Sequence, residues 1–387
     1  MFTTSQSVNH IKKIISLARN TRRPDLAFLS LSRSFQNHAL RSSFMQREQK
    51  RVKMSTSAAA AKGDRMKIAT HDGSFHCDEA LGIHLLKSTE KFSDAIIVRT
   101  RDETVLSECD CVIDVGARFD VEGLRFDHHQ KGFEEVFGFG FRTKLSSAGL
   151  VYKHFGKEII AKKLGIEEGD ALTEKMYLKM YKKFIEAVDG VDNGVTQYAV
   201  EKGAVPLYEN NTSLSSRVGN LNPDWNDKFD AETQMTQFLK AVKLTGAEFD
   251  EKLDWYARVW LPARVLVEEA ISKAKETHES AKILKLEKYT LWKDHLYELE
   301  NDLSCENQFE FVLFEDEGAK KWRVSTIPIT SGSFDNRKSL NKDWAGLRDQ
   351  ELSDKSGIPG CVFVHNGLFI GGNDTYEGAL EMAVKSL

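Results

Sequence analysis

The stretch ATHDGSFHCDEALGIHLLK, residues 69–87, places His71, Asp72, His76, Cys77, Asp78 and Glu79 within nine positions of one another. Before it stands MKIATH, an apolar strand pattern starting at Met66, and its own second half, ALGIHLLK, has helical period. A strand, a polar turn and a helix begin an alternating chain, with the titratable side chains at the carboxyl end of the strand. The alternation continues through AIIVRTR (95–101) and CVIDVG (111–116), both strands, then RFDHHQKGF (125–133) and two helical patterns, SSAGLVYKHFGKEIIAKKLG (146–165) and TEKMYLKMYKKFIEAVDG (173–190). VDNGV (191–195) then brings turn residues. Such a chain predicts an α/β fold whose mostly parallel sheet carries helices on both faces. In these sheets ligands bind outside the carboxyl ends of the strands, where the histidines and acids fall.

Residues 224–279 are highly charged with helical period, broken by Gly246 and Pro262, and read as a helical connector packing on two domains. Beyond it the pattern turns to strands and hairpins: ILKLEKY (283–289), FEFVLFEDEGAKKWRVSTIPI (309–329) and GCVFVHNGLFIGG (360–372). Asn366-Gly367 between apolar runs is a hairpin signal. Asp374 followed by Glu377 predicts a capping box opening a last helix. The resulting division is a basic N-terminal segment over 1–64, a metal-binding catalytic domain over 65–223, the connector over 224–279 and a smaller α/β domain over 280–387.

Residues 1–53 hold eleven Lys or Arg against Asp25 and Glu48, with an apolar face at Ile11, Ile14, Ile15 and Leu17. This is the composition of a mitochondrial transit peptide. The whole chain carries −4 and this segment +9, so the remainder is −13. A second start at Met54 would omit the segment and leave a cytosolic or nuclear form. No apolar run approaches the eighteen residues of a membrane span, so no membrane partner is expected. The five cysteines, Cys77, Cys109, Cys111, Cys305 and Cys361, form no CxxC pair, which argues against a disulfide framework. Cys109 and Cys111 read as small apolar residues entering a buried strand.

A polar residue after a strand is common, so any one of these acids or histidines alone is a solvated loop residue. Their combination is different: separate element ends deliver His71-x4-His76-x-Asp78, then Asp114, then Asp127-His128-His129, then Asp189 with Asp192. Mixed imidazole and carboxylate donors in that number suit two divalent ions, Mn²⁺ in preference to Mg²⁺, which prefers oxygen ligands. Two such ions lie about 3.5–4 Å apart and share a carboxylate, for which Asp114 at the end of a buried strand is the natural choice. The chemistry they serve is phosphoester hydrolysis. An acidic chain can bind a polyanion where metal ions reverse the local potential.

The strand-end aspartate of VIDVG, the Asp-His-His triplet and the upstream histidine motif resemble the DHH phosphoesterase superfamily. HDGSFHCDEAL, LRFDHHQKGF, KLSSAGLVYKHFG, VDGVDNGV, LSSRVGNLNPDWN and SGIPGCVFVHNGLFIGGN together resemble one branch of it, the melanocyte-proliferating-gene exonuclease family, from about Met66 to the C-terminus. The resemblance implies that His71, His76 and Asp78 are metal ligands, Asp114 the bridge and His128 a ligand, that His129 contacts the scissile phosphate, and that Asp127 orients its neighbours. It departs from most of the superfamily, whose first motif is His-x3-Asp-x-Asp, in placing a histidine where a carboxylate is usual. The fourth motif fits Asp189 in one alignment and Asp192-Asn193-Gly194 in another; Asp189 is the choice.

Gly371-Gly372-Asn373, just ahead of a helix start, can offer backbone N–H groups to a phosphate, with His365 nearby as a second substrate contact. Outside these motifs His84 and His154 read as ordinary helix residues. Three functions fit. The resemblance implies the first, a metal-dependent 3′–5′ exonuclease on single-stranded RNA. The others are a hydrolase of pyrophosphate or a dinucleotide, and a non-catalytic metal-bound RNA-binding scaffold. Trp225, Trp255, Tyr256 and Trp260 are candidates for base stacking, which would favour a strand. The oligomeric state is not legible.

Overall fold

The computed structural model describes residues 65–198 and 208–387. The basic segment and Met54 lie outside the described residues. The described chain divides into two compact units, 65–254 and 255–387, with the boundary at the end of a long helix. The connector expected over 224–279 is therefore not a separate body: its first half belongs to one unit and its second half to the other.

The first unit is built on strands β1 (Lys67–Thr70), β2 (Ile96–Arg99), β3 (Cys111–Ile113), β4 (Phe119–Asp120) and β5 (Arg125–Phe126), in the order β2-β1-β3-β5-β4. β1 runs parallel to β2 and β3, and β3 to β5, whereas β4 returns antiparallel on the edge, so the sheet is mixed. A separate hairpin pairs β6 (Val136–Gly138) with β7 (Phe141–Lys144). The helices are α1 (Cys77–Ser88), α2 (Glu103–Ser107), α3 (Ser147–Leu164), α4 (Ala171–Met180), α5 (Glu186–Asp192), α6 (Leu214–Gly219) and α7 (Ala231–Trp255).

Period-2 alternation divides the sheet's side chains between two faces. On one face a Cβ added to Gly82 of α1 would stand 3.0 Å from Ile113 Cδ1 and 3.8 Å from Val151, so the long helices α1 and α3 lie there, and Gly82 lets α1 approach. On the other, Ala69, Val112 and Val98 pack with Leu106 of the single-turn α2. Helices flank both faces, very unequally. Gly246 does not break α7; a Cβ there would collide with the His84 ring of α1, so the glycine permits that contact. His84 meets Asp250 at 3.2 Å, and His154 packs on Phe119 and Phe126. A π-helical turn, Tyr181–Ile185, joins α4 to α5, a feature that no periodicity announced.

The second unit opens with another π-helical turn, Tyr256–Trp260, which is the real interruption near Pro262. Its helices are α8 (Leu261–Ser272), α9 (Ala274–Thr277), α10 (Trp292–Asp302), α11 (Asp349–Ser356) and α12 (Tyr376–Val384). Its strands are β8 (Ile283–Lys285), β9 (Phe311–Glu315), β10 (Trp322–Thr326), β11 (Cys361–Val364) and β12 (Ile370–Asn373), in the order β11-β12-β10-β9-β8. β8 and β9 are parallel and the other pairs antiparallel. Phe311 and Leu313 enter one core while Val312 and Phe314 enter the other, so both faces are covered. The hairpin expected at Asn366-Gly367 is present. The last helix is capped by Thr375, whose hydroxyl accepts from Gly378 N at 3.1 Å, rather than by Asp374. Tyr256 and Trp260 are core residues, Trp255 is 39% exposed and Trp225 is 96% exposed.

Candidate metal centre

The loop from β1 to α1 carries the first ligand set, and its backbone is fastened by side chains. Arg99, at the end of β2, donates Nε to His71 O (3.1 Å) and Nη2 to Gly73 O (2.8 Å), its guanidinium lying over the rings of Phe75 and Phe238. Asn222 exchanges two hydrogen bonds with Phe75, and Gln234 of α7 accepts from Gly73 N. Gly73 has φ +82°, which glycine adopts freely. The loop is thus held in one shape before any ligand arrives.

Asp114 follows β3 with φ 57°, the left-handed region that a non-glycine residue occupies only at a cost. The turn directs its two carboxylate oxygens apart. Oδ2 lies 3.3 Å from His71 Nε2, and Oδ1 lies 3.3 Å from His128 Nε2. His71 Nδ1 can donate to the Asp72 carbonyl at 2.9 Å, which leaves Nε2, between Asp114 and, at 3.1 Å, Glu79 Oε1, as the nitrogen that would face a cation once its proton is lost.

Three overlapping clusters result, each with candidate ligand atoms within 4.8 Å of one another: His71, His76, Glu79 and Asp114; Asp78, His128 and Asp192; and Asp114, His128 and His129. Asp78 Oδ2 accepts from Ser147 Oγ at 2.7 Å, whereas Asp78 Oδ1, Asp114 Oδ1 and both ring nitrogens of His128 are buried without a hydrogen-bond partner. Buried polar atoms are rarely left so, and of these Asp114 Oδ1 and His128 Nε2 face each other at 3.3 Å, with Asp192 Oδ2 3.2 Å from the same nitrogen. The donor set, mixed imidazole and carboxylate, fits divalent cations, which would meet Asp114 Oδ1 and His128 Nε2.

The proton affinities carry the same message. Burial opposes ionisation of Glu79 and, despite His71, pushes its carboxyl up to about 8; burial and the Asp78 charge push Asp192 to about 8. Asp78 is raised by burial and by Asp114. Burial disfavours charge on the imidazoles too, yet the surrounding carboxylates raise His71 to about 10 and His128 to about 9. Asp114, opposed by burial but drawn by His128 and His71, falls to about 2. Without cations the cluster holds protons in their place.

The structure gathers His71, His76, Asp78, Asp114, His128 and His129 and fits Asp127 beside them. Asp127 Oδ1 accepts from His128 N (2.7 Å), His129 N (3.1 Å) and His129 Nδ1 (2.8 Å), and Oδ2 accepts from Ala117 N (2.6 Å). The His129 side chain is 62% exposed, so it faces the cleft rather than the core. Asp189 does not join the clusters. Its Oδ1 accepts from Ser146 N and Oγ and its Oδ2 from Tyr181 OH, inside a space kept open by Gly149. Asp192, one turn further along α5, reaches the site instead, with Oδ2 3.2 Å from His128 Nε2.

Glu79, to which the motif resemblance gave no role, joins the first cluster and also closes the α1 capping pattern, accepting from His76 N. Gly371-Gly372-Asn373 are strand residues of β12, not a loop ahead of a helix. Their pairing with β10 and β11 and close contacts with Met382, Leu340 and Arg323 account for the glycines, and Asn373 is bonded to Pro359 O and Thr375 N. His365 Nδ1 accepts from Gly367 N within the hairpin turn.

Two clefts adjoin the centre, one of about 510 Å³ beside His128, Asp192 and Lys144, the other of about 500 Å³ beside His71, Arg101 and Asp127. His76, Asp114 and His129 line both.

An α/β sheet that gathers imidazoles and carboxylates in overlapping clusters at its strand ends defines a protein with a candidate site for divalent cations. The chain belongs to the MYG1 family: the family model MYG1_exonuc, described as "Uncharacterised protein family (UPF0160)", matches residues 67–387. It is 48% identical over 322 residues to "MYG1 protein" of Dictyostelium discoideum, covering 83% of this chain and 96% of the relative. It is 46% identical over 327 residues to "MYG1 exonuclease" of Homo sapiens, covering 83% and 85%. Among solved structures, manganese-bound exonuclease RecJ aligns over 82% of this chain and 88% of its own at 14% identity and a TM-score of 0.23, a likeness too slight to carry an argument. The family read from the motifs is the family these relatives define. No described helix is long and apolar enough to cross a membrane.

Proposed function

We propose that the chain is a two-metal phosphodiesterase of the DHH type, acting as a 3′–5′ exonuclease on single-stranded RNA. The observation that carries the two-metal reading is Asp114, whose two oxygens each face an imidazole of a different cluster. His71, His76 and Asp114, with Glu79 beside them, would hold one ion; Asp78, His128, Asp192 and Asp114 would hold the other. Divalent ions, Mn²⁺ in preference to Mg²⁺, supply the acidity that makes a water nucleophilic near neutral pH and neutralise charge on a phosphoryl oxygen. Asp127 fixes the His129 ring through Nδ1, so that the exposed edge of the imidazole can donate to the scissile phosphate. Arg99 and Ser147 hold the ligand loop and Asp78 in place.

Polymer cleavage is supported by the name of the human relative, an exonuclease, and RNA by the motif resemblance. The basic segment 1–53 supports a mitochondrial address, with a cytosolic or nuclear form starting at Met54. The test is purified protein with Mn²⁺ and, in parallel, 5′-labelled single-stranded RNA, single-stranded DNA, pyrophosphate and dinucleotides. Metal-dependent shortening of RNA from its 3′ end is expected. Turnover of pyrophosphate or dinucleotides alone would replace this reading with the small-substrate one, and metal binding without turnover would leave a scaffold. Reporter fusions carrying residues 1–53, or starting at Met54, test the address; equal distribution refutes it.

A further inference from the structure

The proposed centre is crowded with carboxylates, yet its substrate is an anion. Lys144, the last residue of β7, is half-buried and lines the cleft that holds Asp114, His128, His129 and Asp192. Its Nζ lies 5.4 Å from the centroid of the Phe133 ring, which in turn packs on His128. No carboxylate of the described residues makes an ion pair with it, whereas Lys153, Lys157 and Lys163 pair with Glu135, Glu174 and Asp254. In a centre this acidic, an ammonium without a carboxylate partner is the exception.

The lysine is also tied to the ligand helix. Asn193 Nδ2 donates to Lys144 O at 3.0 Å and to Asp189 O at 2.9 Å, and Asn193 directly follows Asp192. Thr143 donates to Glu186 at the start of α5. The end of β7 and the segment bearing Asp192 are one fastened piece, which fixes the base of the lysine relative to the clusters. The other cleft differs: its cation, Arg101, is 62% exposed and faces Asp72 at 3.4 Å, with Glu103 in the same lining.

We infer that Lys144 is a catalytic residue that binds a non-bridging oxygen of the phosphoryl group, and that the cleft on its side, not the one at Arg101, receives the phosphate charge. The inference rests on the phosphoesterase reading. Lys144 donates hydrogen bonds from Nζ and keeps its proton throughout; its contribution is charge-assisted bonding that strengthens as charge grows on the phosphoryl oxygens.

The experiment compares wild type, Lys144→Ala, Lys144→Arg and Arg101→Ala. Calorimetry first measures Mn²⁺ uptake, then binding of inorganic phosphate to the Mn²⁺-loaded protein; single-turnover cleavage of labelled RNA follows. Lys144→Ala is expected to take up Mn²⁺ like wild type, to bind phosphate roughly tenfold more weakly and to cleave about a hundredfold more slowly. Lys144→Arg should recover most of the phosphate affinity, and Arg101→Ala should change it less than about twofold. Unchanged phosphate affinity in Lys144→Ala, a larger loss in Arg101→Ala, or loss of Mn²⁺ uptake in Lys144→Ala each overturns the assignment while an active wild type keeps the phosphoesterase reading. A wild type that binds neither Mn²⁺ nor phosphate overturns both.

Discussion

In the second unit Glu300 is buried, and Arg337 meets it with two hydrogen bonds, Nη1 to Oε1 at 2.6 Å and Nη2 to Oε2 at 2.7 Å. In the first unit Asp78, Glu79 and Asp114 are as deeply buried, and among the described residues they face one another and imidazoles, with no lysine or arginine in an ion pair. A buried carboxylate with its own guanidinium is a finished piece of structure. A group of them without one is costly unless a cation from outside completes it. The contrast separates the charge that builds the fold from the charge that awaits a ligand.

The comparison breaks first at Asp114. Asp114→Asn, which keeps the side-chain shape and removes the shared charge, should lower turnover by about four orders of magnitude, ~5.4 kcal/mol of transition-state stabilisation. Its circular dichroism should match wild type; near-normal turnover at limiting metal would refute the bridge. Glu300→Ala should do the reverse. It strands Arg337 in the interior and should cost about 3–5 kcal/mol of stability by denaturant titration, with Mn²⁺ stoichiometry unchanged. A variant that loses metal but not stability would erase the distinction between the two units.

The triplet sharpens the comparison within the site. His129→Ala should bind Mn²⁺ normally and cleave more slowly by about 2.7–4 kcal/mol, without rescue by excess metal. His128→Ala should be partly rescued by Mn²⁺, because its loss falls on affinity. Equal metal loss in both would make His129 a ligand.

Stability should also depend on pH. In the metal-free protein Glu79, Asp192 and Asp189 titrate at about 8, 8 and 7, above their unfolded values, and His71 and His128 at about 10 and 9. The folded state therefore binds more protons than the unfolded one from about pH 4 upward, and stability falls as pH rises through that window. Asp114, lowered to about 2, acts in the opposite sense only below about pH 4. The melting midpoint of the metal-stripped chain should therefore drop between pH 5 and pH 8.5. Mn²⁺ should flatten the slope and release protons on binding, read as a calorimetric heat that depends on the buffer. A midpoint that rises over this range in the stripped chain would refute the account.

Much of the first unit was legible because chemistry sits where strands end: His71 after β1 and Asp114 after β3 are consequences of an alternating pattern. Asp189 and Asp192 were not separable, since they lie one turn apart on a helix whose extent to Asp192 the turn-like VDNGV concealed. Which of them faces the site is decided by Ser146 and Gly149, some forty residues away in the chain, and by the nearby Tyr181. Glycines misled twice. Gly246 marks helix proximity, and Gly371-Gly372 mark crowding on a buried strand; only the partner surface distinguishes these from a break or a phosphate loop. The connector was misjudged because helical period says where a helix is, not which core its face enters.

Asp114 also bounds what substitution can achieve at the site. Its backbone stands where only glycine, asparagine and aspartate sit with ease, while its place between two imidazoles requires a charge with two outlets. Glycine or asparagine would relax the chain or leave it undisturbed and lose the charge; glutamate would carry the charge on a longer arm and a less tolerant backbone. Exploration by single changes thus meets an isolated peak here. A laboratory search for altered metal preference should have more room at Glu79 and His76, whose backbones are under no such demand.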